Sequence, residues 1–232
     1  MKSKRHQIIV SFLLMFFLVI GCRKGGTATE KPVDKTVSVV TPKPMAAKAK
    51  PPQLSPIVRV PVKGVAQKIV EGAKIQEKEA AVYTPGYFAL KYPGGDLPRN
   101  QGVCTDVVVR ALRQAGYDLQ KLMHEDMTKN FSKYPTKWGL KRPDKNIDHR
   151  RVPNHMCFLG RFGETLPLDK DWQPGDLIYW ALGGGLDHCG VISDGRTRDG
   201  RPLVIHNIDI CREEDCFNAW KITGHYRYPR AP

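Results

Sequence analysis

Cys104, His188 and His206 are the residues of this 232-residue chain whose types and settings suit covalent chemistry. Cys104 opens "CTDVVVRALRQAG", in which Val108, Leu112 and Ala115 share a helical face, Val109 and Ala111 broaden it, and Gly116 is a helix stop. A thiol at a helix N-terminus is favoured as thiolate, because unpaired N–H groups and the helix dipole stabilise negative charge. His188 begins the strand-like run "HCGVISD" and His206 falls near the end of "RPLVIHNI", with "SDGRTRDGRP" as a turn between them. If the two strands pair antiparallel, His188, Gly190 and Ile192 share a face with Val204 and His206. Cys189, Val191 and Ser193 take the other face, so Cys189 is expected to point away from the active side. A Cys at a helix start, a His on a strand and a second polar residue behind it are the nucleophile, base and orienter of a thiol hydrolase. Asn207 is the competing orienter if the register slips by one.

The elements that must hold these residues read as helices first and an antiparallel meander second, an α+β order. "VAQKIVEGAKIQ" has helical apolar spacing, and "AAVYTPGYFALKYPGGDLP" is an aromatic, turn-rich segment. "DLQKLMHEDMTKNFSKY" starts with Asp118 as N-cap and lines up Leu119, Leu122, Met123, Met127 and Phe131. "VPNHMCFLGRFG" is a short helix with Pro153 near its first position. "DLIYWAL", "HCGVISD", "RPLVIHNI" and "ITGHYRY" are the strands, and the domain they build spans residues 64–232.

Other polar residues have plainer readings. His149 is a loop residue of "NIDHRR"; Arg150 and Arg151 beside it either bind a substrate carboxylate or form a solvated basic loop. Cys157 belongs to the core. Cys211 and Cys216 bracket "REED" and suit a local disulfide outside the cytoplasm, although sequence does not fix pairing. No C-x₂-C or H-E-x-x-H spacing, P-loop, dinucleotide fingerprint or G-x-S-x-G occurs, so neither metal nor cofactor is expected.

The N-terminus carries an address. "MKSKRHQ" precedes thirteen uncharged apolar residues ending at Gly21 and Cys22, too short for a bilayer span of ~20 residues. "LVIGC" resembles a bacterial lipobox, which implies cleavage after Gly21, lipidation of Cys22 and a periplasm-facing anchor in the outer or inner membrane. Residues 22–63 are rich in Pro, Lys, Thr and Ala and read as a disordered tether. Twelve Lys and Arg against two Asp and Glu fall before residue 66, so most of the formal +14 belongs to signal and tether. A basic spacer beside an anionic envelope accounts for that charge, and no nucleic-acid partner is expected.

The order "YPGG", "VCTD", "GDLIYW", "HCGVISDG", "VIH" resembles the papain-like NlpC-type cell-wall cysteine peptidases and the related CHAP amidases. Residues 66–232 resemble more closely a bacterial domain family of unknown function, number 1287, through "YPGGDLPRNQGVCTDVVVRALR", "HEDM", "WGLKRPDKNIDHRRVPN", "QPGDLIYW", "LVIHNI" and "AWKITGHYRY". The NlpC resemblance implies that Cys104 is nucleophile, His188 base and His206 orienter. It also implies that Tyr92 lies beside the thiol and that the Cys104 N–H holds the oxyanion. NlpC-type enzymes usually read Asp-Cys-Ser-Gly, whereas here the acid follows the Cys as Asp106, either part of the site or a first-turn residue complementing the dipole. The implied activity is cleavage of an amide in peptidoglycan or another envelope peptide by a monomeric, lipid-anchored chain. The alternative is a non-catalytic lipoprotein that binds cell-wall peptides in the same cleft.

Overall fold

The computed structural model describes residues 57–230, and the signal, Cys22 and most of the tether lie outside them. The fold is α+β. Four helices precede the main strands: α1 (Gly64–Lys78), α2 (Cys104–Gln114), α3 (Leu119–Asn130) and α4 (Val152–Phe162). The strands are β1 (Val58–Arg59), β2 (Val82–Tyr83), β3 (Gln101–Gly102), β4 (Glu164–Thr165), β5 (Leu177–Gly183), β6 (Leu186–Arg196), β7 (Pro202–Asn207), β8 (Cys211–Glu214) and β9 (Lys221–Arg227). Single 3-10 turns occupy Phe131–Lys133 and Asp148–Arg150.

A seven-stranded antiparallel sheet runs β4-β9-β5-β6-β7-β8, with β1 paired to β6 at Gly195 and Arg196. Its residues alternate between two apolar layers, as strand geometry dictates. Leu177, Tyr179, Cys189, Val191 and Ile205 face the helices and join Val107, Val108, Leu112, Leu119, Met123 and Leu159 in the larger core. Ile178, Trp180, Ile192 and Val204 face the opposite side, which loop residues Trp172, Phe217 and Trp220 cover. Helix α2 packs on β6 and β7, and α1 lies beside it against β6, β7 and β8. The two helices approach closely at Gly72, where an added Cβ would come within 2.9 Å of the Ala111 Cα. That approach seats α2, and therefore Cys104, against the sheet.

Three expectations change. Residues 57–63, assigned to the tether by composition, belong to the domain: β1 pairs with β6, and Arg59 reaches Asp194 and Glu213. Asp118 precedes α3 without a side-chain cap bond; its carboxylate instead accepts from Gly94 N–H at 2.8 Å and from Arg113 at 3.2 Å. The charged run "CREE" forms β8, because its alternate residues Cys211 and Glu213 turn inward while Arg212 and Glu214 line the other face. Among the described residues no helix is long and apolar enough to cross a membrane.

Candidate active site

Cys104 is the first residue of α2, where first-turn N–H groups have no intrahelical acceptor. The helix start is fixed by Asp106, whose carboxylate accepts from Val103 N–H at 2.7 Å. Arg150 meets the same carboxylate through Nε and Nη2 at 3.0–3.2 Å and donates to the carbonyls of Gly86 and Thr84 at 2.9 and 3.3 Å. Both side chains are buried. Asp106 is thus a structural cap and Arg150 the tie between helix and loop, which replaces both readings of Arg150, as a free ligand for a substrate carboxylate and as part of a solvated basic loop.

The thiol of Cys104 lies where β6 outruns its neighbour. The β6–β7 ladder ends at Gly190 opposite His206, which leaves the start of β6 unpaired on that side. Cys104 is buried against Cys189 and His188, and their pull on its sulfur, with the Cys189 thiol foremost, outweighs burial and lowers the Cys104 pKa from 9.0 to about 5. The Cys189 thiol, buried and beside that sulfur, is pushed well above an ordinary thiol. Cys189 therefore points toward Cys104, not away from it. The alternation along β6 is as the sequence implies, but the helix carrying Cys104 packs on the Cys189 face, and His188 acts from the strand end.

Behind His188 runs a chain of polar side chains on the opposite face of the sheet. His188 Nε2 lies 2.8 Å from His206 Nδ1, and His206 Nε2 lies 2.7 Å from Glu214 Oε1. A carboxylate accepts, so His206 carries its proton on Nε2; its Nδ1 then accepts from His188 Nε2–H. His188 Nδ1 is the nitrogen left over for Cys104. Burial holds the His206 pKa down, so Glu214 orients a neutral imidazole. Trp180 stacks on His188 at 5.6 Å, and Trp220 stands edge-on to both histidines. Gly190 makes room for the pair, since a Cβ there would come within 2.7 Å of Val204 and 3.1 Å of the His206 Cβ.

The thiol opens into a cleft of about 380 Å³ lined in part by Tyr83, Trp138, Arg151, Leu186 and Asp187. Tyr92, expected beside the thiol, packs instead on His124 of α3 with ring centres 5.0 Å apart. Tyr83 takes the place by the cleft; burial, Cys104 and Cys189 raise its phenol pKa. Arg151 borders the cleft, paired to Asp148 at 3.2 Å and stacked over Trp138 at 4.2 Å. Asn207 does not touch His188. Its Nδ2 donates to the carbonyls of Ala81 and Gly102 and braces the segment ahead of α2. His149 is buried in a 3-10 turn, where burial lowers its pKa to about 3. Cys211 and Cys216 are free thiols in the two different apolar layers, so the local disulfide is not formed. Cys157 is half-buried at the edge of the larger core.

Glu214 and Cys189 are the site residues that sequence reasoning missed. A signal for Glu214 was present: Arg212, Glu214 and Cys216 alternate with Cys211 and Glu213 within a run dominated by charge.

Residues 70–228 match the family described as Domain of unknown function (DUF1287). A curated relative, "Uncharacterized protein YijF" of Escherichia coli (strain K12), is 56% identical over 164 residues, which cover 69% of this chain and 80% of that protein. The loop, helix and strands that assemble Cys104, His188, His206 and Glu214 all fall inside the matched span. This chain belongs to the DUF1287 family.

Proposed function

We propose that the protein is a thiol hydrolase that cleaves an amide bond through an acyl-enzyme on Cys104. The observation that carries this reading is the directed chain from the Cys104 sulfur through His188 and His206 to Glu214, ending on a thiol with a lowered pKa. A packed structural cysteine has no use for such a chain, and burial alone would raise its pKa.

The Cys104 thiolate attacks the amide carbon, and the carbonyl π pair moves onto oxygen. The backbone N–H of Cys104, at the start of α2, is the donor we assign to that developing charge. The His188 imidazolium gives its Nδ1 proton to the leaving nitrogen, the C–N bond breaks, and the acyl group stays on sulfur as a thioester. Neutral His188 then takes a proton from water, hydroxide adds to the thioester, and thiolate leaves as the imidazolium reforms. His206 and Glu214 hold the His188 tautomer that keeps Nδ1 toward the sulfur.

The substrate we assign is a peptide amide of the bacterial envelope, most directly in peptidoglycan, reached from a lipid on Cys22. The motif order shared with NlpC-type and CHAP enzymes and the lipobox-like "LVIGC" support it. The test incubates detergent-purified protein with sacculi beside Cys104→Ala and analyses the soluble fragments by mass spectrometry. Fragments from the wild type alone, with new carboxyl and amino ends, are the expected result. Binding to sacculi without release by either protein would transfer the cleft to a peptide-binding lipoprotein.

A further inference from the structure

The end of the relay far from Cys104 has a composition that hydrogen bonding alone does not require. His206, Glu214 and Cys216 come from β7, from β8 and from the segment just beyond it, and their N, O and S donor atoms all lie within 4.8 Å of one another. Sheet geometry explains the convergence. His206 pairs with Arg212, so two-residue steps carry Glu214 and then Cys216 along the same face. Arg212, the cation sharing that face, is turned onto Asp209 at 2.5 Å and leaves Glu214 to His206. Cys216 and His206 are buried, while Glu214 is 38% exposed at its side chain.

We infer that His206 Nε2, a Glu214 carboxylate oxygen and Cys216 Sγ form a binding site for a zinc-class divalent cation, distinct from the nucleophile. One imidazole, one carboxylate and one thiolate are a borderline-soft donor set that suits Zn²⁺ and disfavours Mg²⁺ and Ca²⁺. Bonds of ~2.0–2.3 Å to the three donors require the Glu214 carboxylate, the exposed member, to swing off His206 Nε2 and the three donor atoms to draw around one centre. The exposure of Glu214 also supplies the entrance and a fourth position for water.

Occupancy bears on the catalytic reading above, and this consequence rests on it. A cation on His206 Nε2 replaces the proton that Glu214 holds there and displaces that proton to Nδ1. His206 then donates to His188 Nε2, which must accept, so neutral His188 carries its proton on Nδ1 and faces the sulfur as a donor. The relay runs backward, and His188 can no longer take a proton from water. Zn²⁺ at this site therefore holds the enzyme off.

The experiment adds Co²⁺ or Zn²⁺ alone to the untagged, reduced full chain in detergent. Wild type and Cys104→Ala are expected to take up Co²⁺ with a thiolate-to-cobalt charge-transfer band. Cys216→Ser, close to isosteric, is expected to lose the band and to bind Zn²⁺ at least tenfold more weakly in competition with a chromogenic chelator. In Cys104→Ala protein labelled with ¹⁵N-histidine, which lacks the thiolate that pairs with the imidazolium, Zn²⁺ should move the proton of neutral His188 from Nε2 to Nδ1. A band retained by Cys216→Ser, or lost in Cys104→Ala, would overturn the site, as would a wild type that shows no band. Metal binding at Cys216 with an unchanged His188 tautomer would overturn the reversal. Neither spectroscopic readout requires amide cleavage, so failure of the hydrolase reading is seen separately in the sacculus digest.

Discussion

At Cys104, burial and the neighbouring Cys189 and His188 pull the thiol pKa in opposite directions. Burial alone raises a thiol pKa, as it does for Cys211 and Cys216, both pushed up to about 12. Cys104 is equally enclosed, yet its pKa falls to about 5, first through the Cys189 thiol and then through His188. The rate of alkylation of Cys104 should accordingly rise through a midpoint near pH 5 and be flat at neutral pH. Cys189→Ala removes the S–H donor and keeps the backbone N–H. Loss of a hydrogen bond to a charged sulfur, worth roughly 1.5–3 kcal/mol, moves that midpoint up by roughly 1–2 pH units. An unmoved midpoint would show that Cys189 is only a neighbour. Because the folded pKa is depressed, the associated stabilisation is full above the free-thiol value of 9.0 and is lost as pH falls toward about 5. Acid unfolding of Cys104→Ala should therefore depend less on pH across that window. The residue types were legible in the sequence because strand period alone places His188 and His206 on one face. The sidedness of Cys189 was not, since it depends on which face of the sheet a helix from elsewhere in the chain covers.

Elements, rather than single side chains, decide whether Cys104 meets β6. Helix α2 is held at its start by the Asp106–Arg150 pair, and the segment before it is held by Asn207. Arg150→Ala leaves the Asp106 carboxylate buried without its partner, at a cost of about 3–5 kcal/mol in denaturant unfolding. Arg150→Lys lacks the planar fork and should recover only part of that loss. A loss below ~1 kcal/mol in the alanine variant would mean that water enters and that Arg150 is not the tie. Gly190 poses a sharper question, because a methyl there pushes at Val204 and at His206 itself. Gly190→Ala should separate His206 from His188 and cut sacculus cleavage at least tenfold, while Cys104 keeps a lowered alkylation midpoint through Cys189. The elements also explain why the motif match to NlpC-type enzymes misplaced the tyrosine. Tyr92 stands nearer Cys104 along the chain than Tyr83 does. The "YPGG" turn bonds to Asp118 and Gln120 and carries Tyr92 to α3, whereas β2 pairs with β3 and brings Tyr83 to the cleft. Pairing between two-residue strands leaves almost no periodic trace in a sequence.

Across the whole molecule the decisive question is where the folded unit begins. Composition placed the boundary at residue 64, because "PIVRVPVK" has the Pro and Lys of the tether before it. What composition misses is one side chain. Arg59 sends its guanidinium to Glu213 at 2.6 Å and to Asp194 at 2.8 Å, and Lys74 of α1 joins Asp194 at 2.6 Å. Glu213 is only 4% exposed at its side chain, so its carboxylate depends on that cation and on Ser193. The clamp joins β1 to β6 and β8, the strands that carry His188 and Glu214. A chain starting at residue 57 should therefore be more stable than one starting at 64. Because Arg59 is half exposed and partly screened, the difference should be roughly 1–3 kcal/mol. Arg59→Ala in the longer chain should reproduce most of it, and Glu213→Gln should relieve part of the penalty in the shorter chain by removing the unpaired charge. Equal unfolding midpoints for the two lengths would return residues 57–63 to the tether. A shorter chain that is less stable, and also slower to cleave sacculi per folded molecule, would show that the N-terminal clamp steadies the relay.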